Sequence, residues 1–344
     1  MNKILIIGPN SIHVKNFIEI INPLFNEIQF IGEEKVDFLA ECNQSVCSFR
    51  SKNPFVLFRK YLKLKKLIKE VNPNVIHFQS INRQAFFGIL ANKYLNIKVV
   101  STAWGSDVLL VPERSKILKK MVSFVLKRSD YITADSNQMI EKIETLSNNR
   151  NIKHCLFGIE PIKEKEKEKI IYSNRLHNEL YNIEKIIIDF KEFSKNQPEW
   201  KLIIGAIGSE TKRLIKLAVG NEFENKIKFV GWLDKETNEQ YYQKAMIYVS
   251  IPDSDGTAIS LLEAMSAGCI PVVSNLKVSE EWIQNNVNGI ILEKNENCFE
   301  RALNLNQKNV SKLNTEIINL KATRVVARNN FNEIYSIISV LDDN

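Results

Sequence analysis

Two carboxylates with seven residues between them, Asp255 and Glu263, stand in the stretch DSDGTAISLLEAMSAGCIPVVSN at 253–275. Between Gly256 and Leu276 Glu263 is the only charged residue, and its neighbours are Leu261, Leu262, Ala264 and Met265. A lone carboxylate in so apolar a helix is costly unless a partner or ligand satisfies it. Gly256, Thr257 and Ala258 place small side chains where the first helical N–H groups are unpaired. Such an N-terminus suits an anion, because free donors and the helix dipole point the same way. The segment thus offers an anion site, a carboxylate at its rim and a second about two turns further on. Taken singly, Asp255 or Thr257 reads equally as a helix cap and Glu263 as a solvent-facing side chain. The combination of loop, apolar helix and the buried strand pattern at 269–274 is what points to a ligand.

The elements that must position these groups follow a simple pattern. Short apolar runs at 4–8, 28–31, 75–78, 98–101 and 131–134 read as buried strands, with helical stretches clearest at 55–70, 83–95 and 115–128. A second series runs 170–173, 202–205, 227–230, 247–250, 270–273 and 289–292, separated by helical stretches at 183–194, 209–218, 236–244, 258–267 and 299–307. Such alternation means parallel sheets covered on both faces, so the chain reads as α/β, with two doubly wound Rossmann-like domains. The expected bounds are 1–160 and 161–321, with a helical tail over 322–344. The charged run KEKEKEK at 163–169 marks the join and reads as a solvated linker.

Ligands of open parallel sheets bind at the carboxyl ends of the strands, so the loops there hold the other candidates. In the first, Gly8 permits close backbone approach, and Ser11 and His13 open a helix; the pattern is not GxGxxG. The second, at 101–108, holds Trp104, Gly105, Ser106 and Asp107. Trp104 reads either as an aromatic wall for a ligand or as core filling. Asp107 reads as a carboxylate that bonds a ligand or moves a proton, or as a cap of the next helix. The third places Arg175 directly after a buried strand, where an arginine has few structural tasks. Gly205 and the pair Gly231 and Trp232 also follow strands, and Trp232 reads as a pocket wall or as core.

Composition narrows the class. At 344 residues, 44% hydrophobic and 25% charged, the chain suits a soluble globular protein of two full cores. Its five cysteines form no CxxC pair and their number is odd, which fits a reducing cytosol. No His/Cys cluster has metal-ligand spacing, so no metal and no other cofactor is expected. Neither a signal peptide nor a bilayer-spanning run is read from the apolar segments. Residues 1–160 carry a net charge of +9 and the remainder −2. The excess concentrates at 52–70, with seven basic residues against one acid among Phe55, Phe58, Leu62 and other apolar side chains. That helix either packs on a sheet or lies on an anionic membrane surface. No nucleic-acid module is present.

The segment SDGTAISLLEAMSAGCIPVVSN resembles the donor-binding segment of retaining glycosyltransferases of family 4, with Asp255 and Glu263 at the family's two acidic places. The loop at 101–108 is similar to the family's THGSD-type loop with Trp104 for His, and 173–176 is similar to its GRL segment. The resemblance implies a GT-B fold, two doubly wound domains facing each other across a cleft, with the last helix crossing back to the first domain. It implies a nucleoside-diphosphate sugar as substrate, a UDP-sugar being expected, and retention of anomeric configuration. Asp255 would then lie near the donor sugar, Glu263 would hold the ribose, and Arg175 with the amides at 256–258 would take the diphosphate. Gly205, Gly231 and Trp232 would flank the nucleoside, while Gly8, Ser11, His13, Trp104, Gly105, Ser106 and Asp107 would face the acceptor. Many members carry a lysine five residues after the arginine; here Leu180 stands there, and Lys185 is the candidate to compensate. The expected acceptor is a lipid-linked or surface glycan in polysaccharide biosynthesis, and the expected place is the cytoplasm, on the inner face of the plasma membrane. The competing readings are a GT-B sugar-nucleotide epimerase or hydrolase, and an inactive nucleotide-binding scaffold.

Overall fold

The computed structural model describes residues 2–40, 42–220, 223, 225–293 and 296–340. The chain forms two compact units. Unit 1 takes in the residues up to Phe157 and those from Arg324 onward, and unit 2 is Gly158–Thr323. These divisions fall a few residues from the 160/161 and 321/322 expected from sequence, and residues 341–344 of the expected tail lie outside the described residues.

Unit 1 is built on seven parallel strands: β1 (Lys3–Ile7), β2 (Glu27–Gly32), β3 (Asn43–Val46), β4 (Val75–Gln79), β5 (Lys98–Thr102), β6 (Tyr131–Ala134) and β7 (Ile152–His154). Their order is β3-β2-β1-β4-β5-β6-β7. Ile4, Leu5, Ile6 and Ile7 alternate between the two faces of the sheet and are all buried, because helices cover both sides. The edge strands β3 and β7 were not anticipated. One is the polar NQSV and the other has three residues, so neither carries the apolar run that marks an interior strand.

The helix Arg324–Val340 belongs to unit 1 and completes one face of its sheet. Phe331 and Tyr335 pack edge-on against Phe17 and Phe25, at 5.1 and 4.9 Å between ring centroids. Arg324 bonds Glu19 at 2.8 Å, and Arg328 donates to the Ile20 carbonyl at 3.1 Å.

Unit 2 has six parallel strands: β8 (Glu168–Ser173), β9 (Lys201–Gly205), β10 (Ile227–Gly231), β11 (Ala245–Ser250), β12 (Ile270–Ser274) and β13 (Ile290–Leu292). They lie in the order β10-β9-β8-β11-β12-β13. The order reverses between β8 and β11, whose Tyr172 and Tyr248 stand side by side in register. That is the topological switch point, where loops leave in opposite directions and open a crevice at the carboxyl ends.

Two expectations need correction. The helix expected at 299–307 is a short 3-10 turn, Arg301–Asn304, followed by the true helix Gln307–Lys321, which Asn306 caps through the Asn309 N–H at 3.1 Å. The run at 163–169 lies within unit 2 and is bonded to it, not at the join, although all of it but Lys167 is exposed. Glu164 accepts from Ser311 at 2.5 Å and Gln307 at 2.9 Å. Lys167 donates to the carbonyls of Tyr242, Gln243 and Ala267 at 2.9, 3.1 and 2.6 Å. A cation there neutralises the carboxyl ends of two helices.

Candidate active site

The switch point of unit 2 brings Arg175 and Asp255 together. Arg175 leaves the end of β8, and Asp255 stands in the loop after β11. The guanidinium meets the Asp255 carboxylate at 2.6 Å and donates to Ser260 Oγ at 2.9 Å. Its face lies 4.4 Å from the centroid of the Tyr181 ring. Burial works against the Arg175 charge, but Asp255 and the neighbouring tyrosines outweigh it and hold the group firmly protonated. Burial raises the Asp255 carboxyl, against the pull of Arg175. The pair is thus a partly exposed ion pair, with Arg175 12% and Asp255 23% exposed.

The helix Ile259–Ser266 begins beside this pair. Its N-cap residue, Ala258, has no side-chain oxygen to give the first amides, whereas Ser11, Asn53, Asn82 and Ser136 cap the helices they precede. Asp255 also accepts from the Gly256 N–H at 3.0 Å, which fixes the loop. A pocket opens against residues 255–258, walled by Val273 and Ser274 at the end of β12 and by Trp282. Ser274 Oγ is buried there with no partner among the described residues. Trp282 was assigned nothing from the sequence. It is 3% exposed, and its indole donates to Thr257 Oγ1 at 3.3 Å, propping the loop from behind.

Glu263 lies about one turn into the same helix and is partly buried. It does not line that pocket. Burial pushes its carboxyl up to about 7; a hydrogen bond with Tyr242 and the charge of Lys235 pull it down, and Glu239 pushes it further up. A carboxylate kept at such a cost, with one phenol for company, is set up to receive more donors.

The glycines divide by role. A side chain at Gly205 would come within 3.1 Å of Tyr172 Oη and 3.4 Å of Asn174 Cβ, so its smallness serves packing within the loop cluster. Gly231 has φ +69° with open space around it and turns the chain to Trp232. Trp232 is 71% exposed, which removes the core alternative and leaves an accessible aromatic face. The compensating cation is absent from its expected place. Lys185 is spent on Asp189 at 2.7 Å and on the Glu296 carbonyl at 2.8 Å, away from Arg175. Leu180 contributes only its carbonyl, to the Asp253 N–H at 2.9 Å.

In unit 1 the candidates collect at the switch between β1 and β4. Gly8 faces Gln79, whose Cβ and carbonyl would lie 2.7 and 2.9 Å from an added Cβ, so the close approach it permits is between two loops of the protein. Ser11 is the N-cap of the helix Ile12–Ile21, accepting from Val14 N–H at 3.3 Å. His13 is exposed and packs edge-on to Trp104 at 5.4 Å between ring centroids; the crowding of its ring lowers its pKa. Trp104 donates to Gln79 Oε1 at 3.2 Å. Gly105, at φ 96°, makes the turn into the short helix Ser106–Leu109, and Ser106 is exposed.

Asp107 needs correction. Its carboxylate is 5% exposed and accepts from Ser80 Oγ at 3.0 Å and from the N–H groups of Ile81 and Trp104 at 2.8 and 2.9 Å. Burial raises its pKa, and these donors oppose the rise. Three donors from two loops make it a brace for the site's shape, with little left for an acceptor hydroxyl. Gln79 is the residue the sequence reading missed: it is fully buried, joins the Gly8 and Trp104 loops, and its Nε2 has no partner among the described residues. No run of residues marks it, since it sits inside an ordinary strand pattern.

The basic helix is Pro54–Val71. Leu64, Ile68 and Val71 are buried against the sheet, while Phe55, Phe58 and Leu62 are 82%, 60% and 48% exposed. Arg59, Lys63 and Lys66 are exposed on the same helix. Among the described residues no helix is long and apolar enough to cross a membrane.

Comparison with known proteins matches both units to glycosyltransferase families. Residues 157–318 match the family described as Glycosyl transferases group 1, and residues 3–136 match Glycosyl transferase 4-like. An uncharacterized glycosyltransferase of Methanocaldococcus jannaschii is 31% identical over 193 residues, 52% of this chain and 49% of the relative. The alpha-monoglucosyldiacylglycerol synthase of Acholeplasma laidlawii is 25% identical over 118 residues, 34% of this chain and 30% of the relative. The chain thus matches half or less of the length of these curated relatives. The crystal structure of Anabaena HepE in complex with UDP and glucose superposes with a TM-score of 0.80 at 14% identity, over 97% of this chain and 99% of that one. At that identity the likeness speaks to the fold, which is the two-domain GT-B type.

Proposed function

We propose, from the premise that this chain is a GT-B glycosyltransferase, that it moves a sugar from a UDP-sugar to an acceptor hydroxyl with the anomeric configuration kept. The observation that carries the reading is the Arg175–Asp255 pair at the switch point of unit 2, beside a helix start that no side chain caps. UDP and glucose in the HepE structure support the choice of donor class.

In this reaction the diphosphate shares Arg175 with Asp255 and takes the amides at the start of the Ile259–Ser266 helix. Charge growing on the leaving phosphate is met by donors already in place. Asp255 is held by Arg175 and the Gly256 N–H, which leaves it poorly disposed to attack C1. Front-face transfer fits this geometry. The bond from C1 to the phosphate oxygen breaks, the acceptor oxygen bonds C1 on the same face, and the acceptor proton passes to the departing phosphate. Glu263 takes the ribose hydroxyls, and Trp232 offers its exposed face to the base. The loops at Gly8–His13 and Trp104 in unit 1 are assigned to the acceptor.

The acceptor is proposed to be lipid-linked, at an anionic membrane surface on the cytoplasmic side. Phe55, Phe58 and Leu62 stand out from the same helix as Arg59, Lys63 and Lys66, an arrangement that places apolar side chains among lipid chains and cations among headgroups. The lipid product named for the Acholeplasma relative is in keeping with this. The test is incubation with UDP-glucose and other UDP-sugars with and without lipid acceptors, followed by NMR of the product. An equatorial anomeric proton in the product, as in the α-linked donor, supports the reading. Sugar release without acceptor indicates a hydrolase, and UDP binding without turnover a scaffold.

A further inference from the structure

Trp104 is held at more points than a half-buried side chain at the end of a sheet needs. Its indole N–H donates to Gln79 Oε1 at 3.2 Å, its backbone N–H donates to Asp107 Oδ1 at 2.9 Å, and its ring lies edge-on to His13 at 5.4 Å between centroids. The ring packs in part on the core that holds Phe17 and Phe331. Asp107 also accepts from Ser80 Oγ and the Ile81 N–H, so one carboxylate ties the loop after β4 to the loop after β5.

The loop after β4 carries two costs. Ser80 has φ 88°, a left-handed conformation that a residue with a side chain keeps only where its surroundings hold it there. Gln79, just before it, is fully buried at the last position of β4. An indole can only donate, so the amide oxygen of Gln79 must face it and the NH₂ must face away. That NH₂ has no partner among the described residues. A buried amide with half its hydrogen bonding unmet serves the fold less well than an apolar side chain of the same size. What glutamine supplies, and leucine or methionine does not, is an acceptor for the indole. With its N–H taken, Trp104 has only an apolar π face to offer a ligand, fixed in one orientation.

We propose that Trp104 is a fixed platform for the carbon-bearing face of a sugar ring, with Gln79 as its positioning residue, so that the acceptor hydroxyl belongs to a saccharide and not to a glycerol lipid. This rests on the reading that these loops receive the acceptor. A pyranose presents a face of C–H bonds that covers an indole, with its hydroxyls around the rim, where the exposed His13 and Ser106 offer polar atoms. The hydroxyl of a diacylglycerol has no such face. A lipid carrier attached beyond the sugar is compatible with the platform.

The test uses the full chain with ¹⁵N in its four tryptophans, whose indole signals are followed by NMR; the signal lost in Trp104→Phe is that of Trp104. Octyl β-D-glucopyranoside and octyl β-D-galactopyranoside are the sugar-ended probes, and dioctanoylglycerol is the probe without a sugar. At least one glycoside should move the Trp104 signal saturably, and dioctanoylglycerol should leave it in place. Gln79→Leu should weaken that glycoside about fivefold in a ligand-observed titration, the cost of ordering a freed side chain again on binding. Trp104→Phe keeps a ring but lacks the link, so adding Gln79→Leu to it should weaken the glycoside no further. A merely structural role for Gln79 would cost the same in both backgrounds. If Gln79→Leu fails to fold, Gln79→Met replaces it in both. Additive losses, a Trp104 signal that neither glycoside moves, or one that dioctanoylglycerol moves equally overturns the proposal, and sugar transfer by the same protein would leave the acceptor reading standing. Glycoside bound at Trp104 by a protein that transfers no sugar upholds the platform and counts against the transfer reading alone.

Discussion

Replacing Glu263 by glutamine should make this protein more stable while weakening its hold on a nucleotide. The carboxyl is raised to about 7 from an ordinary 4.5, chiefly by burial. An acid raised on folding binds its proton more tightly in the folded chain than in the unfolded one. Folding stability therefore falls as pH rises between those two values, and the full cost is present above the upper one. A shift of that size corresponds to about 2–3 kcal/mol once the partial exposure of the group is allowed for. Glutamine keeps the shape and removes the ionisation. The two proteins should match in stability near pH 4, and the variant should lead by about 2–3 kcal/mol at pH 8. Urea unfolding of both chains at pH 4, 6 and 8 reads the difference directly. A gap that does not change with pH, or a variant weaker than wild type at pH 8, would mean that the Glu263 charge is not what burdens the fold. Such a residue, costly to the fold, is what a binding function retains.

Three further outcomes follow from the geometry. Arg175→Lys should lose about 100-fold in turnover of a UDP-sugar, because an ammonium cannot serve Asp255, Ser260 and a phosphate at once; near-normal kcat/KM in that variant would count against the clamp. Gly8→Ala should cost about 1–3 kcal/mol, since the new methyl meets Gln79 Cβ and its carbonyl; an unchanged Tm would show that these loops give way easily. Neutralising Arg59, Lys63 and Lys66 together should reduce sedimentation with anionic liposomes steeply at low salt, and Phe55→Ser with Phe58→Ser should do so at any salt. Binding that survives both sets of changes rejects the membrane role of this helix.

The parallel architecture was legible because interior strands buried on both faces read as continuous apolar runs, as in Ile4, Leu5, Ile6 and Ile7. The edge strands were not, since the polar β3 sequence NQSV is held in place by its neighbour's hydrogen bonds and by no pattern of its own. The helix Gln307–Lys321 was misplaced because its capping Asn306 is one of several asparagines in that region. At the site, Arg175 and Asp255 could be paired from topology alone, both leaving strands at one switch point. The duty of Asp107 could not, because its donors Ser80 and Ile81 come from a loop more than twenty residues away. The run at 163–169 misled for a related reason: a lysine that binds carbonyls and one that faces water look alike in sequence. Gln79 matters through what it touches, and contacts of that kind are set by the fold.

The central claim is that unit 2 grips a nucleoside diphosphate through Arg175 beside the loop at 255–258. Calorimetric titration of the intact protein with UDP, in wild type and in Arg175→Ala, tests it most directly. Saturable one-site binding is expected in wild type, with a loss of about 100-fold or more in the variant, where Asp255 is left facing the phosphates without its arginine. UDP bound equally well by both proteins would contradict it.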